Sequence, residues 1–411
     1  MSKRPAELPP LEQLRRIDRR LTGPEYYHAC IGHHPRTVIA PREVVSVLEG
    51  EIEPDATIDW QAALDQVVAV NPGACLRLVG KRQNARWTSD GAPPGLRFIE
   101  NCAWDGRSAQ GSEFIYATPL SLEDGPTCEL IIAGRGKIKI IFRAAHAVMD
   151  GMGVIHFMME LFRALRGEPL LGSNATYTDV DLMRHVLPKT LPFKKVTPAF
   201  LTGGPKGDER GGTWRRITLP GPQPNLLTRM ALAIAEYARR SGDNDHPVRL
   251  AIPVSLKRHA PQLLATSNFT NMLFLDIAQG EGLEEIKAHL GDLMERNVDA
   301  NYPGIIELIR YLPFSWLDRL VSITEKNYAS PKIIETAVLT VVGPIKRSTL
   351  SGGGFRAETM YGLAQKENAF LGVVGFQGKF EICIGMANVF ASDGRLEKFS
   401  DFLESRLTVS R

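Results

Sequence analysis

Ala144-Ala145-His146-Ala147-Val148-Met149-Asp150-Gly151 joins two stretches of different periodicity, and its reading decides the fold. Before it, Ile138-Lys139-Ile140-Ile141-Phe142-Arg143 is short and rich in β-branched residues, the pattern of a strand. After it, residues 153–166 place Ile155, Met159, Phe162 and Leu165 on one helical face. A strand that runs through a tight connection into a helix belongs to an α/β fold. It is also a place where a scaffold can hold a polar side chain out toward a ligand, and His146 is the candidate.

Upstream, Gly134-Arg135-Gly136 separates two apolar runs as a hairpin turn would. Asp59 is placed to cap a helix over 60–70 that stops at Asn71-Pro72-Gly73. Residues 74–79, 98–102 and 114–118 read as short strands. Downstream, residues 201–212 carry six glycines or prolines among charged residues, which marks a linker between residues 1–200 and residues 213–411. Beyond it the pattern predicts helices over 226–241, 283–296, 305–312, 316–328 and 395–407. Strands are expected over 248–254, 268–277, 337–342, 369–375 and 379–386. Both halves mix strands and helices, so the expected architecture is two α/β halves that meet at a cleft.

At 411 residues the chain exceeds one core of ordinary size, and 44% hydrophobic content permits a large one. Lys+Arg 49 against Asp+Glu 46 leaves +3, which gives no reason to expect a nucleic-acid stripe or an anionic membrane surface. Small molecules or proteins are the expected partners. Cys30, Cys75, Cys102, Cys128 and Cys383 are odd in number and never spaced CxxC, as in reduced, mostly buried thiols of a cytoplasmic protein. The first 20 residues lack the apolar core of a secretory signal, and no run approaches the roughly 18 apolar residues of a membrane span. There is no GxSxG, no phosphate-binding Walker loop and no GxGxxG opening a helix, so serine-hydrolase, nucleotide and dinucleotide readings lose support.

A neutral imidazole, with an ordinary pKa of about 6.5, can take a proton from a hydroxyl or amine as that group attacks a carbonyl. An acyl thioester is activated enough that neither an enzyme nucleophile nor a metal is required. Asp150 can serve the site by accepting a hydrogen bond from the ring or by pairing with a distant basic residue, and Gly151 can supply backbone angles closed to other residues. The competing structural reading makes His146 a buried, satisfied histidine and Asp150 a helix cap, since HxxxD alone is short and common. His28, Cys30, His33 and His34 lack the second well-spaced pair that a metal site needs. His156 and Glu160, four apart on the helix, read as a solvated or inter-half face. Met152, Met158 and Met159 fit helix core or the lining of an acyl tunnel.

With these residues the chain resembles the superfamily of thioester-dependent acyltransferases that includes chloramphenicol acetyltransferase, peptide-synthetase condensation domains, wax ester synthases and plant-type acyl-CoA transferases. Their shared motif is HHxxxDG or HxxxD, and Ala145 stands in place of its first histidine. Trp60-Gln61-Ala62-Ala63-Leu64 through Asn71-Pro72 to Leu76-Arg77 is similar to an early element, and Pro119-Leu120-Ser121-Leu122 with Gly125-Pro126 to the element ahead of the histidine strand. In the second half, Ile252-Pro253-Val254-Ser255-Leu256-Lys257-Arg258, Ser267-Asn268-Phe269-Thr270-Asn271 and residues 338–343 are similar to three later elements.

The resemblance implies two chloramphenicol acetyltransferase-like subdomains in a V, with a central tunnel that admits the thioester from one side and the acceptor from the other. It implies His146 as general base and Asp150 as a structural carboxylate pairing with a basic residue of the other half, Lys257 or Arg258. Thr340 is implied near the reaction centre as a possible oxyanion donor, though Val341 replaces the usual Asn, and Met152 as tunnel lining. No metal or tightly bound cofactor is implied; the co-substrate is acyl-CoA or acyl-phosphopantetheine on a carrier protein. A catalytically idle relative that binds a carrier protein or ligand is the alternative.

Overall fold

The computed structural model describes residues 8–32, 42–241, 246–317, 333–363 and 368–408. Its strands form two large mixed sheets and one small antiparallel sheet. The small sheet holds β1 (Asp18–Arg20), β3 (Arg77–Val79) and β4 (Arg86–Thr88). The first large sheet draws on β2 (Glu43–Ile52), β5 (Gly95–Ile99), β6 (Cys128–Arg135), β7 (Lys137–Ala145) and β12 (Phe355–Leu363), in the order β12-β2-β7-β6-β5. The second contains β8 (Gly212–Pro220), β9 (Val248–Ser255), β10 (Thr270–Ile277), β11 (Ala337–Ile345), β13 (Phe370–Phe376) and β14 (Lys379–Ala387), in the order β10-β9-β11-β13-β14-β8.

The expected hairpin closes β6 onto β7 with Arg135 opposite Lys137, and both flanking glycines adopt positive φ. On β7, Ile138, Ile140, Phe142 and Ala144 face one core while Ile141 faces another. A strand buried on both sides explains why its sequence is almost continuously apolar. The first core packs the sheet against α2 (Trp60–Val70) and α3 (Gly151–Leu165). As predicted, Asp59 caps α2 by accepting from the Ala62 N–H at 2.9 Å. The second sheet packs on α5 (Leu226–Arg240), α6 (Leu283–Glu295) and α7 (Arg395–Thr408), with Ile234, Ile286 and Phe399 fully buried. Of the remaining helices, α1 (Gly23–Gly32) adds Tyr26 and Ala29 to the first core, and α4 (Asp179–Val186) buries Val180, Leu182 and Met183 in a smaller cluster.

The two halves are interlocked. β12, which follows the linker in sequence, pairs with β2 from Phe355 opposite Ile52 to Leu363 opposite Val45. The boundary at 201–212 therefore does not separate the sheets: burial of Phe355, Ala357 and Met360 in the first core and cover for the edge of β2 carry the strand across. Other segments also differ from expectation, and the strand expected over 98–102 runs instead over Gly95–Ile99. Residues 114–118 fall in a 3-10 turn, Glu113–Tyr116, because the Arg97 guanidinium takes the Phe114 and Ile115 carbonyls that a strand partner would need. Pro72–Cys75 forms a 3-10 turn before the short β3, and Gly304–Tyr311 is a 3-10 rather than an α-helix. Of the helix expected over 316–328, all but Trp316 and Leu317 lies outside the described residues. Among those residues no helix is long and apolar enough to cross a membrane.

Candidate active site

The β7–α3 connection is clamped from three directions. Ala145 N–H donates to the Thr127 carbonyl at 2.9 Å and His146 N–H to the Arg42 carbonyl at 2.9 Å. From the second half, Asn268 Nδ2 donates to the His146 carbonyl at 2.9 Å and to the Ala147 carbonyl at 3.2 Å. His146 thus stands where the two halves meet.

Asp150 holds the same seam from the other end of the connection. It is the N-cap of α3, with Oδ1 accepting from Gly153 N–H at 2.7 Å. Its Oδ2 accepts from Phe269 N–H at 2.8 Å and from Thr270 Oγ1 at 2.7 Å. It caps a helix and ties the halves together, but through a backbone N–H and a hydroxyl rather than the His146 ring or a basic side chain. Neither expected basic partner makes an ion pair with it. Lys257 Nζ donates to the Ala265 carbonyl at 2.9 Å, close enough for the Asp150 charge to favour its protonation, while burial lowers its pKa. Arg258 turns away and forks onto the fully buried Asp299 through Nε and Nη2, both at 2.9 Å, with His259 on the same carboxylate at 2.8 Å. The planar fork of Arg258 is satisfied by a bidentate carboxylate that Asp150, already saturated by three donors, no longer offers.

The glycine that the seam requires is Gly153. A Cβ there would sit 2.0 Å from the Thr266 carbonyl oxygen, so the first turn of α3 lies directly on second-half backbone. Gly151 has no positive φ and open space where a Cβ would go, so the expected backbone role at that position is absent. Gly153→Ala is expected to destabilise the protein by about 1–3 kcal/mol, as overpacking does. Gly151→Ala should stay within about 0.5 kcal/mol. Urea unfolding of the two variants side by side checks the pair.

The His146 ring is half-buried as a residue, yet its Nδ1 is fully enclosed and has no hydrogen-bond partner among the described residues. The ring of His28, from α1, stacks on it with centroids 4.5 Å apart and planes inclined by 24°. Burial lowers the His146 pKa from its ordinary 6.5; Arg42 adds to this, while backbone carbonyls of His146 and Met149 and the Asp150 charge oppose it. Burial, with His146 and Arg42 close by, pushes His28 well below the same value. Two neutral imidazoles therefore lie face to face at neutral pH. Nothing in the local sequence around His146 announces His28. Among the described residues no three His, Cys, Asp or Glu side chains are grouped to hold a metal, and His33 and His34 lie outside them.

Thr340 lies on β11 opposite Gly372, half-buried, on the strand face shared with Val342, which packs against the first core. Met152 is half-buried against that core, Met158 is wholly inside it, and Met159 packs at its edge. His156 Nε2 lies 3.0 Å from the Gly172 carbonyl and Glu160 accepts from Gly172 N–H at 2.7 Å, so this pair fastens the chain at Gly172. Two clefts open elsewhere: about 440 Å³ lined by Cys102, Trp104 and Phe114 among others, and about 230 Å³ beside Arg107, Arg215 and Arg216. His146 lines neither.

No family model and no curated protein sequence matches the chain. Solved structures do. A mutant starter condensation domain of rhizomide synthetase RzmA, in complex with C8-CoA and Leu-SNAC, superposes with a TM-score of 0.67 at 15% identity over 95% of this chain and 94% of that one. The same domain with C8-CoA alone gives 0.64 at 16% identity over 95% and 94%. The condensation domain from the Monacolin K polyketide synthase MokA gives 0.65 at 14% over 95% and 96%. The chain has the mixed α/β, two-subdomain fold of these condensation domains.

Proposed function

We propose that the protein is a condensation-type acyltransferase in which His146 serves as general base. The observation that carries this reading is an imidazole at the junction of the two halves whose enclosed Nδ1 has no hydrogen-bond partner among the described residues and whose backbone is held from both halves; burial lowers its pKa and so favours the neutral base. Nδ1 is enclosed, so Nε2 is the nitrogen that meets the acceptor. Nε2 takes the proton of an amine or hydroxyl as its heteroatom attacks the acyl thioester carbon. A tetrahedral oxyanion forms, the C–S bond breaks, and the thiolate leaves with the proton returned by the imidazolium. Thr340, on the face toward the first half, and backbone N–H groups near Gly151 are the donors available to the oxyanion. The donor is an acyl group on CoA or on carrier-protein phosphopantetheine, in keeping with the CoA and SNAC thioesters of the similar domains. Lys257 and Arg258 act at a distance, the first beside Asp150 and the second holding Asp299.

Intact-mass and thiol-release assays across CoA and carrier thioesters with amine and alcohol acceptors test the reading. Acyl transfer with release of one thiol per product supports it. Tight thioester binding without thiol release supports the idle, ligand-binding alternative instead. The lowered pKa of His146 sets a pH dependence: the base form persists below the ordinary 6.5, so the midpoint of the acid limb of kcat/KM should lie below 6.5. A pH–rate profile whose acid limb lies above 6.5 contradicts this.

A further inference from the structure

We propose that His28 is a positioning residue for His146, its stacked ring replacing the hydrogen-bonded partner that ordinarily orients a catalytic imidazole. This rests on the reading of His146 as base. In a histidine base the nitrogen away from the substrate usually donates to a carboxylate or carbonyl, which fixes the tautomer and the ring plane. Here the enclosed Nδ1 has no such partner among the described residues, and Asp150 spends both oxygens on Gly153, Phe269 and Thr270. Rotation of the ring about its Cβ–Cγ bond is left to packing, and the flat surface packed against it is His28, at 4.5 Å and 24°. Near-parallel rings at that spacing resist rotation of either ring while leaving the Nε2 edge free.

The support for His28 comes from elsewhere in the chain. α1 is anchored to the second half, where Tyr26 Oη donates to the Leu312 carbonyl at 2.6 Å and the Tyr26 ring lies 4.7 Å from that of Phe314. Gly23 N–H donates to Glu307 Oε1 at 3.1 Å, and a Cβ at Gly23 would stand 2.8 Å from the Ile306 carbonyl oxygen. The helix that presents His28 is thereby tied to the half that supplies Asn268, Phe269 and Thr270. Both faces of the seam converge on one ring.

The groups that influence His146 electrostatically are His28 from α1, Arg42 ahead of β2, and Asp150 on its own connection, with Lys257 behind Asp150. Two variants separate stacking from imidazole chemistry. His28→Phe keeps a flat ring and removes the nitrogens; His28→Ala removes the surface. His28→Phe should retain kcat within about threefold, and His28→Ala should lose about 10- to 100-fold in kcat with KM little changed, the cost of a misplaced catalytic group. The acid limb in His28→Ala should move up toward the ordinary 6.5 as water reaches the ring. Histidine NMR titration of His146 gives a readout that does not depend on turnover: its midpoint should be kept in His28→Phe and raised in His28→Ala, with both variants melting as the native protein does. Equal loss in the two variants, or an unmoved His146 titration in His28→Ala, overturns the proposal. A moved titration in a protein that transfers no acyl group leaves the stacking role standing and overturns the acyltransferase reading.

Discussion

His146→Ala is expected to reduce acyl transfer by about 10²–10⁴-fold, the contribution of a positioned general base. The protein should meanwhile keep its fold. The reason lies in how the residue is held: its N–H to the Arg42 carbonyl and its carbonyl to Asn268 are backbone contacts that alanine keeps. The enclosed Nδ1 has no hydrogen-bond partner among the described residues, so truncation strands no buried partner there. The variant should therefore melt within a few degrees of the native protein and still bind thioester. Single-turnover thiol release, followed by intact mass of the product, measures the loss directly. Native turnover in a folded His146→Ala protein sinks the general-base assignment, whereas loss of activity together with loss of fold would contradict the account of how the residue is anchored.

What could be read from the chain in advance divides by range. The β7–α3 unit was legible because its signals are local: β-branched density before residue 144, a helical stripe after 153, and a turn marked by Gly134 and Gly136. Asp59 and Asp150 were legible as caps for the same reason, since a capping carboxylate lies within three residues of the N–H it accepts. The rest depends on partners that sequence spacing does not encode. β12 reads as an ordinary strand, and only its apolar face, buried beside β2, sends it into the other sheet. Lys257 and Arg258 share a motif and a charge but face different carboxylates, one near Asp150 and the other on Asp299. Gly151 and Gly153 are indistinguishable in sequence; the nearness of Thr266 backbone makes only the second indispensable. His28 sits in a short helix with no periodic relation to the motif it stacks on.

Asp150→Ala is the substitution expected to cost the most stability. It deletes an N-cap, worth about 1 kcal/mol. It also leaves the Phe269 N–H, on a residue 1% exposed, and the Thr270 hydroxyl without their acceptor. The orphaned buried N–H costs about 1–3 kcal/mol and the half-buried hydroxyl about 1 kcal/mol or less, so with the cap the total should reach about 2–5 kcal/mol. Asp150→Asn retains one acceptor oxygen and should fall between. Lys257 adds a pH dependence of definite sign. Burial already lowers its pKa below 10.5 and the Asp150 charge alone opposes that, so in Asp150→Ala the ammonium loses its counter-charge and the pKa falls further. The unfolded chain then binds more protons than the folded one between the lowered value and 10.5, and stability must rise with pH across that window. Urea denaturation of Asp150→Ala should therefore show a deficit that shrinks as the solution is made alkaline. Lys257→Met in the same background should remove that pH dependence, and the double variant should cost less than the sum of the singles, as for residues that interact. A deficit that is flat with pH, or strictly additive costs, would mean that Lys257 does not feel Asp150, and that the seam is held by the hydrogen bonds to Phe269 and Thr270 alone.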